Sequence, residues 1–151
     1  MLSQVFCPQE PCLLYSGDLR GNLVAAGTVF RTVLVWNAES GDILKKLAGH
    51  QGVIFDVTWL GDSCLTSVSD DRSVRVWSSE GSAEHLEQTA EMYGHTARIW
   101  KVMPLQNFKE RSLLVTVCEN ATCRVWDAST GKQIHCLSGH LGKNVRTLAV
   151  E

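Results

Sequence analysis

The stretch Gly49-His-Gln-Gly-Val-Ile-Phe-Asp-Val-Thr-Trp59, continued by Leu-Gly-Asp-Ser-Cys-Leu-Thr-Ser-Val-Ser69 and closed by Asp-Asp-Arg-Ser-Val-Arg-Val-Trp77, decides the fold. Ile54, Val57 and Trp59 fall in a first β-rich run, Gly61-Asp62 makes a turn, and Leu65, Ser67 and Ser69 line a second strand. Asp70-Asp71-Arg72 is a tight turn into the alternating Val74, Val76 and Trp77 of a third strand. The unit recurs. Gly-His stands at Gly49-His50, Gly94-His95 and Gly139-His140, 45 residues apart each time, and Val-Trp closes a run at Val35-Trp36, Val76-Trp77 and Val125-Trp126. A period of this length marks a stacked-repeat architecture, because one such unit cannot bury its apolar face alone.

The unit from Gly-His to Trp resembles one blade of a WD-repeat β-propeller. The expected fold class is therefore all-β, a WD-repeat propeller fragment with two complete four-stranded blades plus parts of two others. Residues 49–93 and 94–138 are expected as the complete blades, residues 1–48 as the end of a preceding blade with an unplaced N-terminal stretch, and residues 139–151 as the start of a truncated further blade. A closed ring needs roughly four to eight blades, so 151 residues are expected to be a fragment of a longer protein. The stretch Met1 to Gly21 reads either as a second strand, with Pro8 and Pro11 in a loop, or as a segment outside the fold.

Composition narrows the function classes. The chain is 44% hydrophobic and 20% charged with a formal net charge of -2, so bulk charge gives no signal for nucleic acid, and any RNA contact must come from a local patch. No apolar run approaches the ~20 residues of a membrane span, and the N-terminus lacks the charged-then-apolar order of a signal peptide. A cytoplasmic address is expected. Six cysteines without a CxxC pair read as buried small hydrophobes. Cys7-x4-Cys12 and Cys118-x4-Cys123 are poor zinc knuckles, and Cys123 falls within an alternating strand.

In blades of the WD-repeat pattern a histidine, a serine or threonine, a turn aspartate and a tryptophan form a hydrogen-bonded chain across the sheet. The resemblance places that chain at His50, Ser69, Asp71 and Trp77, and its third-blade equivalents at His95, Cys118, Asn120 and Trp126. An indole N–H only donates, a hydroxyl relays, and a neutral imidazole both donates and accepts, so the chemistry is self-consistent. The same His-Ser-Asp set invites a hydrolytic reading. A nucleophilic serine, however, needs an exposed oxygen and an oxyanion hole, whereas this one lies in a strand against a tryptophan. No catalytic residue, metal site, cofactor or small-molecule substrate is expected, and function must come from the scaffold's surface.

The third unit carries the most individual sequence. Gly94-His-Thr-Ala-Arg-Ile-Trp-Lys-Val102 puts Arg98 and Trp100 where small or aliphatic residues are usual, and Pro104 to Ser112 forms an extended loop. After His140 the first apolar strand residue comes one position late, which reads as a bulge or wider loop. The succession VLVW, GHQGVIFDV, SDDRSVRVW, GHTARIWKV, ENATCRVW and GHLGKNVRTLA resembles the N-terminal propeller in the family of WD-repeat-containing protein six. Members of that family are non-catalytic partners of the methyltransferase that modifies the ribose 2′-OH of the wobble nucleotide of certain transfer RNAs.

That resemblance implies a scaffold whose protein partner, a 2′-O-methyltransferase catalytic subunit, supplies the S-adenosylmethionine site and the chemistry, with tRNA as a further partner and no membrane. A generic WD-repeat platform for protein–protein interaction in another complex is the alternative. Contact residues are expected where the Gly-His loops and aspartate turns share one rim: Gln51, Asp70, Arg72, Arg98, Glu119, Lys143 and Asn144. Of these, Arg72, Arg98 and Lys143 are candidates for phosphate, against the plainer reading that they are solvated or paired with neighbouring acids.

Overall fold

The computed structural model describes residues 14–61, 63–79, 81–105 and 112–140. Their alternating patterns form twelve strands, β1 Leu14–Arg20, β2 Leu23–Thr28, β3 Thr32–Asn37, β4 Ile43–Ala48, β5 Ile54–Trp59, β6 Cys64–Ser69, β7 Val74–Ser78, β8 Glu87–Met92, β9 Ile99–Leu105, β10 Leu113–Cys118, β11 Cys123–Asp127 and β12 Lys132–Leu137. They make three antiparallel meanders of four strands, β1 to β4, β5 to β8 and β9 to β12. The sequence reading expected two complete sheets and the end of another. The difference lies in β1, where Leu14–Arg20 pairs with β2 and completes the first sheet. Its burial is slight, with Leu14, Tyr15 and Leu19 all exposed, so the strand carries little of the apolar alternation that marks a half-buried strand.

Alternation along each strand explains why the sheets stack. In the first sheet Ala25, Val33, Val35 and Leu47 point at the second, where Ile54, Val57, Trp59, Leu65, Trp77 and Leu86 receive them. The other face of the second sheet, with Val68, Val74, Val76 and Met92, packs against Ile99, Val102, Leu114 and Trp126 of the third. Trp77 and Trp126 thus both face the sheet that precedes their own. The far faces of the end sheets carry smaller apolar clusters, Ala26, Leu34 and Trp36 on one side and Val115, Val117, Cys123 and Val125 on the other.

The first strands of the sheets, β1, β5 and β9, lie side by side, and two carboxylates, the half-buried Asp18 and the buried Asp56, join them. Asp18 of β1 accepts from Thr58 Oγ1 at 3.0 Å and from the Trp59 N–H at 2.9 Å. Asp56 of β5 accepts from Ser16 Oγ on one side and from the Val102 N–H at 3.0 Å on the other, with Lys101 Nζ 3.7 Å away. Burial raises the Asp56 carboxyl above the usual carboxylate range, although these hydrogen bonds and Lys101 oppose it. Each link between sheets runs from the last strand of one to the first strand of the next and carries a Gly-His pair. Glycine fits there because the following sheet's third-strand arginine lies against it. A Cβ would come 2.7 Å from Arg75 Nη1 at Gly49 and 2.7 Å from Arg124 Nη1 at Gly94.

Candidate functional site

His50 is 3% exposed and spans the start of the second sheet. Its Nδ1 lies 2.8 Å from Asp71 Oδ2 and its Nε2 lies 2.8 Å from Ser67 Oγ, which also accepts the Trp77 indole N–H at 2.9 Å. The chain His50, Asp71, Trp77 is as the sequence placed it, but the relay hydroxyl is Ser67 and not Ser69. Ser67 and Ser69 share one face of β6, and the indole of Trp77, cross-strand from Leu65, reaches back to Ser67. Ser69 instead accepts the Asp71 N–H at 3.1 Å and shapes the turn.

The third sheet repeats the correction. Thr116, not Cys118, receives the Trp126 N–H at 2.8 Å and lies 2.7 Å from His95 Nε2. The hydroxyl relay is therefore kept in both sheets, and Cys118 points its Sγ at the Ala97 carbonyl. Asn120 holds Thr122 through its Oδ1 and donates from Nδ2 to Thr96 Oγ1, so it does not reach His95, whose Nδ1 has no hydrogen-bond partner among the described residues. Burial first, and the charge of Arg124 second, lower the His95 pKa to about 4. Buried and bonded to Thr116, the ring is a structural member. Replacing Ser67 with alanine strips both Trp77 and His50 of a buried partner and is expected to lower stability by about 2 kcal/mol, whereas Ser69→Ala should cost under about 1 kcal/mol. Urea unfolding of the two variants checks this contrast.

Of the rim residues, the structure brings together Asp70, Arg98 and Glu119. Arg98 Nε lies 3.2 Å from a carboxylate oxygen of each, one from the second sheet and one from the third. The guanidinium also stands over the Trp100 ring, 5.5 Å from its centroid. Arg98 is thus paired with neighbouring acids, the plainer of its two readings. Gln51 is exposed and bonds locally, to Asp71 through its N–H and to the Gly49 carbonyl through its side chain. Arg72 is exposed in the turn after β6. Lys143 and Asn144, and the wider loop after His140, lie outside the described residues, as does part of the Pro104 to Ser112 loop.

Sequence reasoning missed an aromatic arc beside this cluster. Tyr15 and Phe55 meet edge to face with centroids 5.2 Å apart, and Phe55 and Trp100 lie 4.6 Å apart at 44°. One residue comes from each of β1, β5 and β9. The available signal was spacing, since Phe55 and Trp100 each follow a Gly-His histidine by five positions. Apart from this rim, a 350 Å³ recess between the second and third sheets is lined by Leu60, Cys64, Val76, Ser78 and Thr89 among others and holds no cluster of chemically reactive groups.

Three stacked four-stranded meanders, fastened by a His, hydroxyl and Trp chain in two of them, define a protein built of propeller blades. The family profile described as "WD domain, G-beta repeat" matches residues 41–78 and 86–127, and the chain belongs to that family. It is similar to the "tRNA (34-2'-O)-methyltransferase regulator WDR6" of Homo sapiens, at 29% identity over 165 residues, and to the protein of that name in Bos taurus, at 30% over 164 residues. These alignments cover 99% and 98% of this chain but 14% of each relative, so the chain spans a small part of their length. The "Nuclear distribution protein PAC1" of Arthroderma otae is 26% identical over 123 residues, covering 78% of this chain and 26% of that protein. Among solved structures, the computationally designed Ika8 protein superposes with a TM-score of 0.72 at 23% identity over 86% of this chain and 38% of that one. That likeness shows the fold. Among the described residues no helix is long and apolar enough to cross a membrane.

Proposed function

We propose that this chain is part of a non-catalytic WD-repeat scaffold that assists 2′-O-ribose methylation of the wobble nucleotide of transfer RNA, working in the cytoplasm beside a separate catalytic subunit. The observation that carries the reading is similarity along almost the whole chain to proteins named as regulators of a tRNA (34-2'-O)-methyltransferase. The geometry supports a scaffold role, because the residues that resemble a catalytic set are spent inside the sheets: His50 is closed by Asp71 and Ser67, and His95 is buried beside Thr116. Holding RNA and enzyme in register contributes to rate without a reacting group, since orientation alone is worth several kcal/mol of a barrier.

Affinity purification of the intact protein from its own cells tests the reading. A 2′-O-methyltransferase and transfer RNA are expected to co-purify, and depletion of the protein is expected to lower ribose methylation at nucleotide 34. Recovery of other complexes with unchanged methylation would overturn it in favour of a general protein-interaction platform, the reading that similarity to a nuclear distribution protein supports.

A further inference from the structure

The two seams between sheets are built alike and filled differently. Leu23 pairs with Asn37 in the first sheet as Cys64 pairs with Ser78 in the second, and Ala25 pairs with Val35 as Thr66 pairs with Val76. Leu23, Val35 and Asn37 are therefore the counterparts of Cys64, Val76 and Ser78, one set on each of two successive sheets. Each seam is closed from the following sheet by the link between its third and fourth strands. Ser79 opens one link by donating its N–H to the Ser63 carbonyl, and Ala128 opens the other by donating its N–H to the Ser112 carbonyl.

From there the links diverge. In the second sheet the link carries a turn of 3-10 helix, Ala83–His85, which lies against β4, and then Leu86. Leu86 is 1% exposed within the core between the first and second sheets, where Leu23 and Ala83 pack against the same cluster. In the third sheet the link is only residues 128–131, between β11 and β12, and it carries neither the turn nor a leucine. The place that Leu86 fills in one seam is thus open in the next. It is the 350 Å³ recess walled by Cys64, Val76 and Ser78 of the second sheet and Ala128 of the third.

The lining tells what the recess takes. Leu60, Val76 and Ala128 are buried beneath it, and none of the lining residues is charged. The Ser78 hydroxyl is already engaged, donating to Cys64 Sγ at 3.5 Å and lying 3.2 Å from Thr89 Oγ1. An ion entering here would lose its hydration without meeting an opposite charge, whereas an aliphatic group gains by leaving water. The neighbouring seam shows the shape that fits: a leucine delivered by one short turn, with a small residue three positions ahead of it.

We propose that the recess between the second and third sheets is a docking slot for a leucine of a partner protein, presented on a short turn as Leu86 is presented one seam earlier. The proposal goes beyond the tRNA reading, because it holds whichever complex the scaffold joins.

The probe is the chain's own hexapeptide Ser-Ala-Glu-His-Leu-Glu, residues 82–87, blocked at both ends and titrated into the intact protein while the methyl NMR signals of Leu60, Val76 and Ala128 are followed. Saturable shifts are expected there and not at Leu23 or Val33, whose seam is already filled. The same peptide with serine in place of its leucine is expected to shift none of them. Thr89→Leu and Ser129→Leu place an aliphatic group in the recess from exposed positions and remove no core residue. Each is expected to melt no lower than the parent and to weaken peptide binding ~10-fold, the effect of one leucine denied its burial. Absence of shifts with the leucine peptide would overturn the proposal, as would equal shifts with the serine peptide or undiminished binding by leucine variants that melt like the parent. Isobutanol that reproduces the shifts at the same concentration would mark an indiscriminate apolar cavity and overturn it as well.

Discussion

Asp71→Ala is expected to lower the stability of the intact protein by about 3–4 kcal/mol, more than any other single turn substitution. Its two carboxylate oxygens hold four donors. Oδ2 takes His50 Nδ1 and the Gln51 N–H, both at 2.8 Å, and Oδ1 takes the Ser73 N–H at 2.9 Å and the Ser73 hydroxyl at 2.6 Å. Ser73 and His50 are buried, so truncation strands groups that water cannot reach. Burial alone would raise the Asp71 pKa, but the hydrogen bond and charge of His50, with Ser73 and the Gln51 N–H, outweigh it and hold the carboxyl well below the usual range. The sign follows from linkage. A folded-state pKa below the unfolded value gives stability that is fully present above about pH 4 and lost as pH falls through the folded value. Melting temperature against pH should therefore drop steeply in acid for the parent and less so for Asp71→Ala. The converse change, Asn120→Asp, supplies the acceptor that His95 Nδ1 lacks and is expected to add about 1 kcal/mol while moving the His95 titration, read by NMR, upward from about 4.

The second large effect is expected at Gly27. This residue lies in β2 where the first sheet meets β5, and a Cβ built there would stand 2.6 Å from Ile54 Cγ2 and 2.9 Å from the Ile54 carbonyl oxygen. The side-chain methyl has room to give only by disturbing a residue with no exposed surface, and the carbonyl belongs to the backbone. Alanine in a strand ordinarily gains a few tenths of a kcal/mol over glycine through the unfolded state. Here overpacking outweighs that gain, and Gly27→Ala should cost about 2–3 kcal/mol. Calorimetry showing an unchanged or raised melting temperature would refute the close approach.

Legibility in the sequence followed the physics of each feature. Strand alternation, the Val-Trp closures and the Gly-His period are local patterns, so the β class and the second and third sheets could be read directly. The linkage of His50, Asp71 and Trp77 came from the resemblance to WD-repeat blades rather than from any local pattern. Ser67 was not legible, because Ser67 and Ser69 have the same parity and nothing in the sequence says how far an indole reaches along its neighbour strand. Leu14–Arg20 could be read only as a second strand or as a segment outside the fold, and not as the first strand of a complete sheet, because its exposed face carries little apolar rhythm. The aromatic arc depended on register, and a bulge is a property of two strands that neither one reveals. Arg98 shows the limit of reading charge alone: its partners Asp70 and Glu119 are distant in sequence and meet only after the second and third sheets stack.

The family profile begins at residue 41 and ends at 78, taking in β4 of one sheet and β5 to β7 of the next; its second match, 86–127, likewise starts before β8 and ends with β11. The unit of sequence is therefore out of phase with the unit of architecture by one strand. Splicing in or cutting out a whole period leaves every sheet with four strands, because the outer strand donated at one junction is replaced by the next copy's. A cut at a profile boundary therefore parts an outer strand from the sheet it completes, so that neighbouring sheets are tied by the chain itself as well as by their apolar faces.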